Sequence, residues 1–260
     1  MAEYKGIIPP LITPLDTKGN VSEKSIKKLI EYVRPYASAL MPTLSSGEGW
    51  ALDDKEFVDM IRFTMKYARG LPVLAGVECS TTKKVIERSK IAKKFGIDAI
   101  VITTPFTKEI SQNTIYAHFK DIAEAVKMPI FVYNEKAISK NAISYKTLLR
   151  ICKLDDIVGI KEASGSAKFT QKLIKSHLGI PIFQGWEHLC YSSKGVDGYV
   201  MPLANIEPKL CYEMFNNPSM RDQKRINALC KQYNLLDERW YFFLKQELVN
   251  RAVIDTARTA

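Results

Sequence analysis

The sequence predicts an α/β protein, a (β/α)8 barrel of the TIM type with a C-terminal helical extension, and three observations carry the prediction. Eight apolar, β-rich runs alternate with amphipathic stretches as far as residue 205, the pattern of βα units and a parallel sheet. Eight such units in 260 residues suit a closed barrel better than an open doubly wound sheet. No dinucleotide or phosphate fingerprint interrupts them: the first run ends in Pro14, Leu15 and Asp16 rather than GxGxxG, and GxxxxGK[ST] is absent.

The runs are Gly6 to Pro14, Ala39 to Glu48, Pro72 to Glu78, Ala99 to Pro105, Pro129 to Glu135, Ile157 to Ser164, Pro181 to Glu187 and Gly198 to Asn205. Between them Ser22 opens a helix with Ile26, Leu29, Ile30 and Val33 on one face. Asp53 or Asp54 caps the next, which carries Phe57, Met60, Ile61 and Met65. Thr81 or Thr82 precedes a third with Val85, Ile86 and Ala92, stopped at Gly96. Ser111 and Ser144 start the fourth and fifth, and two more helices are expected after the seventh and eighth runs. Residues 1–205 thus read as the barrel and 206–260 as helices packed on it, with Leu229, Tyr233, Leu236, Trp240, Phe243 and Leu244 as their apolar face. Neither a linker rich in Gly, Ser or Pro nor a short repeat divides the chain.

Composition narrows the class. With 46% hydrophobic and 25% charged residues and no bilayer-length apolar run, the chain reads as a soluble protein with no membrane partner. The N-terminus has neither a signal-peptide core nor an Arg-rich transit segment, so a cytoplasmic location is expected. Cys79, Cys152, Cys190, Cys211 and Cys230 are odd in number and lack CxxC spacing, which suits small core residues in a reducing compartment. The 38 Lys and Arg outnumber the 28 Asp and Glu, but they scatter over helix after helix without a basic tail, so nucleic acid is not an expected partner. His118, His177 and His188 fall at no metal-ligand spacing, and neither metal nor cofactor is called for.

One residue breaks the apolar pattern. Lys161 stands in Ile157-Val158-Gly159-Ile160-Lys161-Glu162-Ala163, on the face expected to carry Ile157, Gly159 and Ala163. Burying an ammonium costs several kcal/mol unless it is paired or deprotonated. Desolvation therefore lowers its pKa and yields a nucleophilic amine. The competing readings are a lysine that snorkels to solvent and a structural ion pair with Glu162.

In a barrel the active site forms at the C-terminal ends of the strands, and three such ends are unusual. Ser45-Ser46-Gly47-Glu48 offers two hydroxyls and a glycine turn to an anion, unless it is a plain turn. Tyr133 shares an inward face with Phe131, which suits either a core aromatic or a proton carrier. With Lys161 the set makes chemical sense: an amine attacks a 2-oxo acid, a phenol shuttles protons, and hydroxyls hold the carboxylate. Glu187, at the end of the seventh run beside His188, reads from its position as a first-turn carboxylate favoured by the helix dipole.

The order SSGE, then Tyr133-Asn134, then Gly159-Ile160-Lys161-Glu162-Ala163-Ser164-Gly165 resembles the dihydrodipicolinate synthase and N-acetylneuraminate lyase family of class I aldolases. Thr103-Thr104-Pro105, Tyr116-Ala117-His118-Phe119 and Gly185 extend the likeness along nearly the whole chain. The resemblance implies Lys161 as Schiff-base lysine, Tyr133 as proton relay, Ser45 and Ser46 as carboxylate ligands, Gly185 and Val200 lining the pocket through backbone groups, and Glu187 as an acid that binds substrate hydroxyls. It implies a metal-independent lyase that makes or breaks a C–C bond, or dehydrates a sugar acid, in a homo-oligomer of two or four barrels. Two positions depart from the synthases. Thr107 stands where a tyrosine completes a relay from a neighbouring subunit, and Ile138 where an arginine holds the second substrate's carboxylate. Lys136 or Lys140 is the available substitute for that charge, without a bidentate fork. The GxKxT pattern of the sialic-acid lyases is absent too. Three expectations stand side by side: a lyase or aldolase for an uncharged or hydroxylated partner, a synthase using aspartate semialdehyde, and a non-catalytic binding protein on the same scaffold.

Overall fold

A computed structural model describes residues 4–260. Seven parallel strands form one curled sheet: β1 (Gly6–Ile7), β2 (Leu74–Gly76), β3 (Ala99–Ile102), β4 (Ile130–Glu135), β5 (Ile157–Ala163), β6 (Ile182–Gln184) and β7 (Gly198–Tyr199), ordered β1-β7-β6-β5-β4-β3-β2. The second apolar run, expected as a full strand, closes the gap between β1 and β2 through two isolated parallel bridges, Pro10 to Met41 and Leu40 to Val73. Its irregularity has a cause. Pro9 and Pro42 remove ladder donors on its two sides, while on the far edge of the first run the Asn205 side chain accepts from Ile12 N–H at 3.2 Å and donates to Pro10 C=O at 2.9 Å. The eight positions together make a closed β/α barrel.

The helices are α1 (Glu23–Val33), α2 (Asp54–Tyr67), α3 (Thr82–Lys94), α4 (Gln112–Val126), α5 (Tyr145–Ile151), α6 (Ala167–Ile174), α7 (Pro208–Asn216), α8 (Met220–Gln232) and α9 (Trp240–Asn250). Ser22, Asp53, Thr81, Ser111, Ser144 and Ser166 cap the first six, each side chain accepting a backbone N–H three residues on. No α-helix follows β6. Two 3-10 turns, Glu187–Leu189 and Tyr191–Ser193, stand there instead, because only 13 residues separate Gln184 from Gly198, too few for a helix and both its connections. In the C-terminal segment Leu244 is buried, but Leu236, placed on the apolar face by periodicity, is 74% exposed in the turn between α8 and α9.

Apolar side chains divide into two groups. The larger fills the layer between sheet and helices; the smaller, including Ile8, Met41, Leu74, Val101, Phe131, Tyr133, Phe183 and Val200, fills the barrel interior. Ile157 belongs to the outer layer, not to the face of Lys161. The β4–β5 register shifts at Ile130/Phe131, so that Ile130 pairs with Ile157 but Phe131 with Gly159. That bulge passes over Val158 and reverses the alternation before it. Gly159 is then obligatory, since a Cβ there would stand 2.4 Å from the Phe131 ring.

Candidate active site

β5 alternates after its bulge, and alternation turns Lys161 inward and Glu162 outward. Glu162 spends its oxygens on Asn134 Nδ2 and Ser164 N–H, each at 2.7 Å, so it is a buried outer-layer acceptor rather than the partner of Lys161. Nor does Lys161 snorkel: the residue is 3% exposed. Its Nζ lies 3.8 Å from the centroid of the Tyr133 ring, its neighbour in register on β4. Burial pulls its pKa down to about 8, against the opposing fields of Glu78, Glu135 and Glu187. Burial, reinforced by Glu135 and Glu78, pushes the Tyr133 phenol up, and the Ser45 hydroxyl beside it acts the other way.

Ser45 and Ser46 are buried in a 3-10 turn, Ser45–Gly47, at the C-terminal mouth of the bridging run. The turn needs its glycines. A Cβ on Gly47 would stand 2.7 Å from Leu11 C=O, and one on Gly49 would stand 2.0 Å from Thr43 C=O. Glu48, left-handed at φ 55°, turns away from the barrel and pairs with the buried Lys245 of α9. Gly185 leaves room for the lysine, because a Cβ there would be 3.2 Å from Lys161 Cε. Val200 sits in the barrel interior, its N–H bonded to Gln184 C=O at 2.9 Å. Glu187 is buried, accepts from Leu203 N–H at 3.1 Å, and is pushed up in pKa by burial. His188 is exposed and leans on Trp186, with ring centroids 5.6 Å apart.

The residues expected around a second substrate lie further out. Thr107 and Lys136 are exposed, and Ile138 is half-buried. Glu135 accepts the N–H groups of Ile138 at 2.8 Å and Ser139 at 2.9 Å, while Lys140 Nζ turns back to Ala137 C=O at 2.8 Å. Asn141 ties this loop to the one carrying Thr107, giving Nδ2 to Thr107 C=O at 3.2 Å and accepting from Ile110 N–H at 3.0 Å.

Sequence reasoning missed Glu78. It follows β2 at the barrel mouth, is 1% exposed, and accepts a hydrogen bond from Ser45 Oγ at 2.6 Å. Burial raises its pKa to about 8. The available signal was a carboxylate at the end of an apolar run, the position that Glu187 also holds.

A buried, unpaired amine against a phenol, with paired hydroxyls at the same mouth of a β/α barrel, defines a metal-independent class I aldolase-type lyase, one that works through a lysine imine. The comparisons agree. The Dihydrodipicolinate synthetase family model matches residues 3–250, and the chain belongs to that family. It is 30% identical to the 4-hydroxy-tetrahydrodipicolinate synthase of Archaeoglobus fulgidus over 82% of this chain and 74% of that protein. Identity to the enzyme of the same name from Thermodesulfovibrio yellowstonii is 32%, over 82% and 75%. Among solved structures, chloride-inhibited dihydrodipicolinate synthase from Acinetobacter baumannii, complexed with pyruvate, superposes with a TM-score of 0.88 at 28% identity, covering 98% of this chain and 91% of that one.

Proposed function

We infer that Lys161 forms an imine with pyruvate or another small 2-oxo acid, and that the enamine derived from it makes or breaks a bond to an aldehyde or sugar acid. The observation that carries this reading is the Lys161 amine, 3% exposed and lying on the Tyr133 ring. Pyruvate bound to the Acinetobacter relative supports the choice of acid. Tyr133 is the proton relay, Ser45 and Ser46 hold the carboxylate, and Gly185 and Val200 line the pocket. Borohydride reduction in the presence of pyruvate tests it: the protein should gain the mass of the reduced adduct on Lys161, and no adduct with any small 2-oxo acid ends the proposal.

The partner is an uncharged or hydroxylated aldehyde or sugar acid, recognised by Glu187 and the Thr107–Ile138 side of the mouth. Three carboxylates, Glu78, Glu135 and Glu187, act on Lys161, and the half-buried Ile138 adds no charge to receive a second carboxylate. Lys140 is engaged with its own turn. Condensation with aspartate semialdehyde is then slower than in a typical synthase by roughly a hundredfold, the effect of losing a charge-assisted contact. The names of the curated relatives favour the other reading, a synthase that uses this aldehyde. Steady-state assays against a panel of aldehydes and 2-oxo sugar acids separate the two, and efficient turnover of aspartate semialdehyde selects the second.

Residues 206–260 serve as an extension that braces the barrel of residues 1–205. Support comes from Arg251, which reaches Tyr32 Oη at 3.0 Å, and from Lys24, which pairs with Asp255 at 3.1 Å. A cytoplasmic homo-oligomer, a dimer or tetramer, completes the reading; among the described residues no helix is long and apolar enough to cross a membrane. Sedimentation at micromolar concentration tests the assembly, and a strict monomer contradicts it.

A further inference from the structure

Glu78 is the buried carboxyl nearest in chemistry to the reacting amine, and the imine reading above leaves it unused. Its two oxygens differ. Oε1 accepts from Ser45 Oγ at 2.6 Å, while Oε2 is fully buried with no hydrogen-bond partner among the described residues. A buried carboxylate oxygen without a donor is costly, and a proton on it removes the charge. Ser45 has one proton and gives it to Glu78, so toward any other hydroxyl it can only accept. A route is thereby open from Tyr133, whose ring carries Lys161, through Ser45 to a carboxylate.

We propose that Glu78 is the proton store of this site, a positioning residue that works through Ser45 to take the proton blocking the Lys161 amine. The inference rests on the imine chemistry proposed above. The phenol passes its proton to Ser45 Oγ as Ser45 passes its own to Glu78, and the phenolate takes one from the Lys161 ammonium. The sum moves one proton from ammonium to carboxylate, leaving a neutral amine, a neutral acid and both hydroxyls unchanged. The amine then forms a C–N bond to the ketone carbon. The carbinolamine loses its hydroxyl as water with a proton from the phenol, and the phenolate recovers a proton from the adjacent methyl carbon. Hydrolysis of the product imine returns the neutral amine, and the relay run backward gives it the proton held by Glu78, restoring ammonium and carboxylate.

Other charges bear on the same carboxyl. From the barrel side, Glu135 opposes its ionisation and Lys161 favours it. On the other side Glu78 lines a cavity of about 370 Å³ with Cys79, the acids Asp54 and Glu87 and the bases Lys84 and Arg88, whose charges offset one another. The barrel side therefore sets its protonation, and substrate arriving there changes it.

The test is the rate of borohydride-trapped adduct formation with pyruvate, from about pH 6 to 9.5, in wild type and Glu78→Gln. Glutamine keeps an acceptor for Ser45 but cannot take a proton. The variant is expected to fold, to form the adduct with pyruvate affinity within about threefold of wild type, and to do so about a hundredfold more slowly. Its pH midpoint should move down, because a carboxylate that favours the ammonium has gone. A carboxylate that acted only through its charge would move the midpoint down and raise the rate below it, because more of the amine would be neutral, so the slower rate is what marks the relay. A rate in Glu78→Gln at or above that of the wild type would overturn the proposal, whatever the midpoint does, while the imine reading stands; no adduct in the wild type would overturn both. Should the glutamine variant fail to fold, Glu78→Asp decides: charge kept but reach shortened predicts an unmoved midpoint with a slower rate, and an unchanged rate overturns it.

Discussion

Two lysines are buried in this protein, and they are buried differently. Lys245, fully buried on α9, pairs with Glu48 and donates to Arg258 C=O at 2.8 Å, and Ala260 N–H completes the acceptor side by reaching Glu48 at 2.8 Å. Lys161, 3% exposed, has a ring face and three carboxylates acting from beyond ion-pair distance. Burial lowers both pKa values, but at Lys245 a directly bonded carboxylate opposes the shift. A lysine that serves the fold is saturated with partners, whereas one that serves chemistry is left short of them and so keeps a reactive lone pair.

Exchanging each lysine for methionine should break the comparison in opposite directions. Lys161→Met is expected to abolish the borohydride adduct while keeping the circular dichroism spectrum and not lowering the melting temperature at neutral pH. Next in size, Tyr133→Phe should slow imine formation by about two to four powers of ten with the fold intact, and an unchanged single-turnover rate would return Tyr133 to the core. Lys245→Met leaves Glu48 charged, buried and unpaired, which should cost about 3 to 5 kcal/mol in denaturant unfolding. Adding Glu48→Gln should recover most of that, and additive losses would show the pair to be unimportant.

The difference can be sharpened with pH. The folded pKa of Lys161 is lowered from 10.5 to about 8, so across that window the unfolded chain binds the extra proton and stability rises with pH. Glu78 is raised from 4.5 to about 8, so the folded chain holds the proton between those values, and its stabilising effect is lost as pH rises through them. Together they place a stability minimum near pH 8. The wild type should therefore gain up to about 3 kcal/mol between pH 8 and 10.5 relative to Lys161→Met, read as a difference of unfolding free energies. Smallest is Ser46→Ala, expected to weaken pyruvate by about 1 to 3 kcal/mol in calorimetry; equal affinity would remove Ser46 from the carboxylate site.

Lys161 was legible in the sequence because a charge inside an apolar run violates the period that the rest of the run obeys. Tyr133 followed from alternation with Phe131. Glu78 was hidden by its position: a carboxylate closing an apolar run looks like the first polar residue of a loop, and only the fold shows that Ser45, 33 residues earlier, meets it. The exchange of Ile157 to the outer layer was hidden too, since a bulge is a relation between two strands and neither carries it alone. The missing helix after β6 was a matter of length rather than pattern, since Trp186, Leu189 and Cys190 have helical spacing but the connection is too short.

The staple made by Asn205 has a consequence in time. Pro10 and Ile12 acquire their bonding partner only from a residue 195 and 193 positions later. Gly6 and Ile7 likewise wait for Gly198 and Tyr199, and the glycine pair is so close that a Cβ on Gly198 would fall 1.9 Å from Gly6 C=O. A chain growing from a ribosome can stack βα units as they emerge, but its first strand stays a free edge until the last one has been made. Such an edge is where a half-synthesised barrel would pair with another copy, and Pro10, which supplies no donor on the side where Gly6 and Ile8 give theirs, blunts it during that wait.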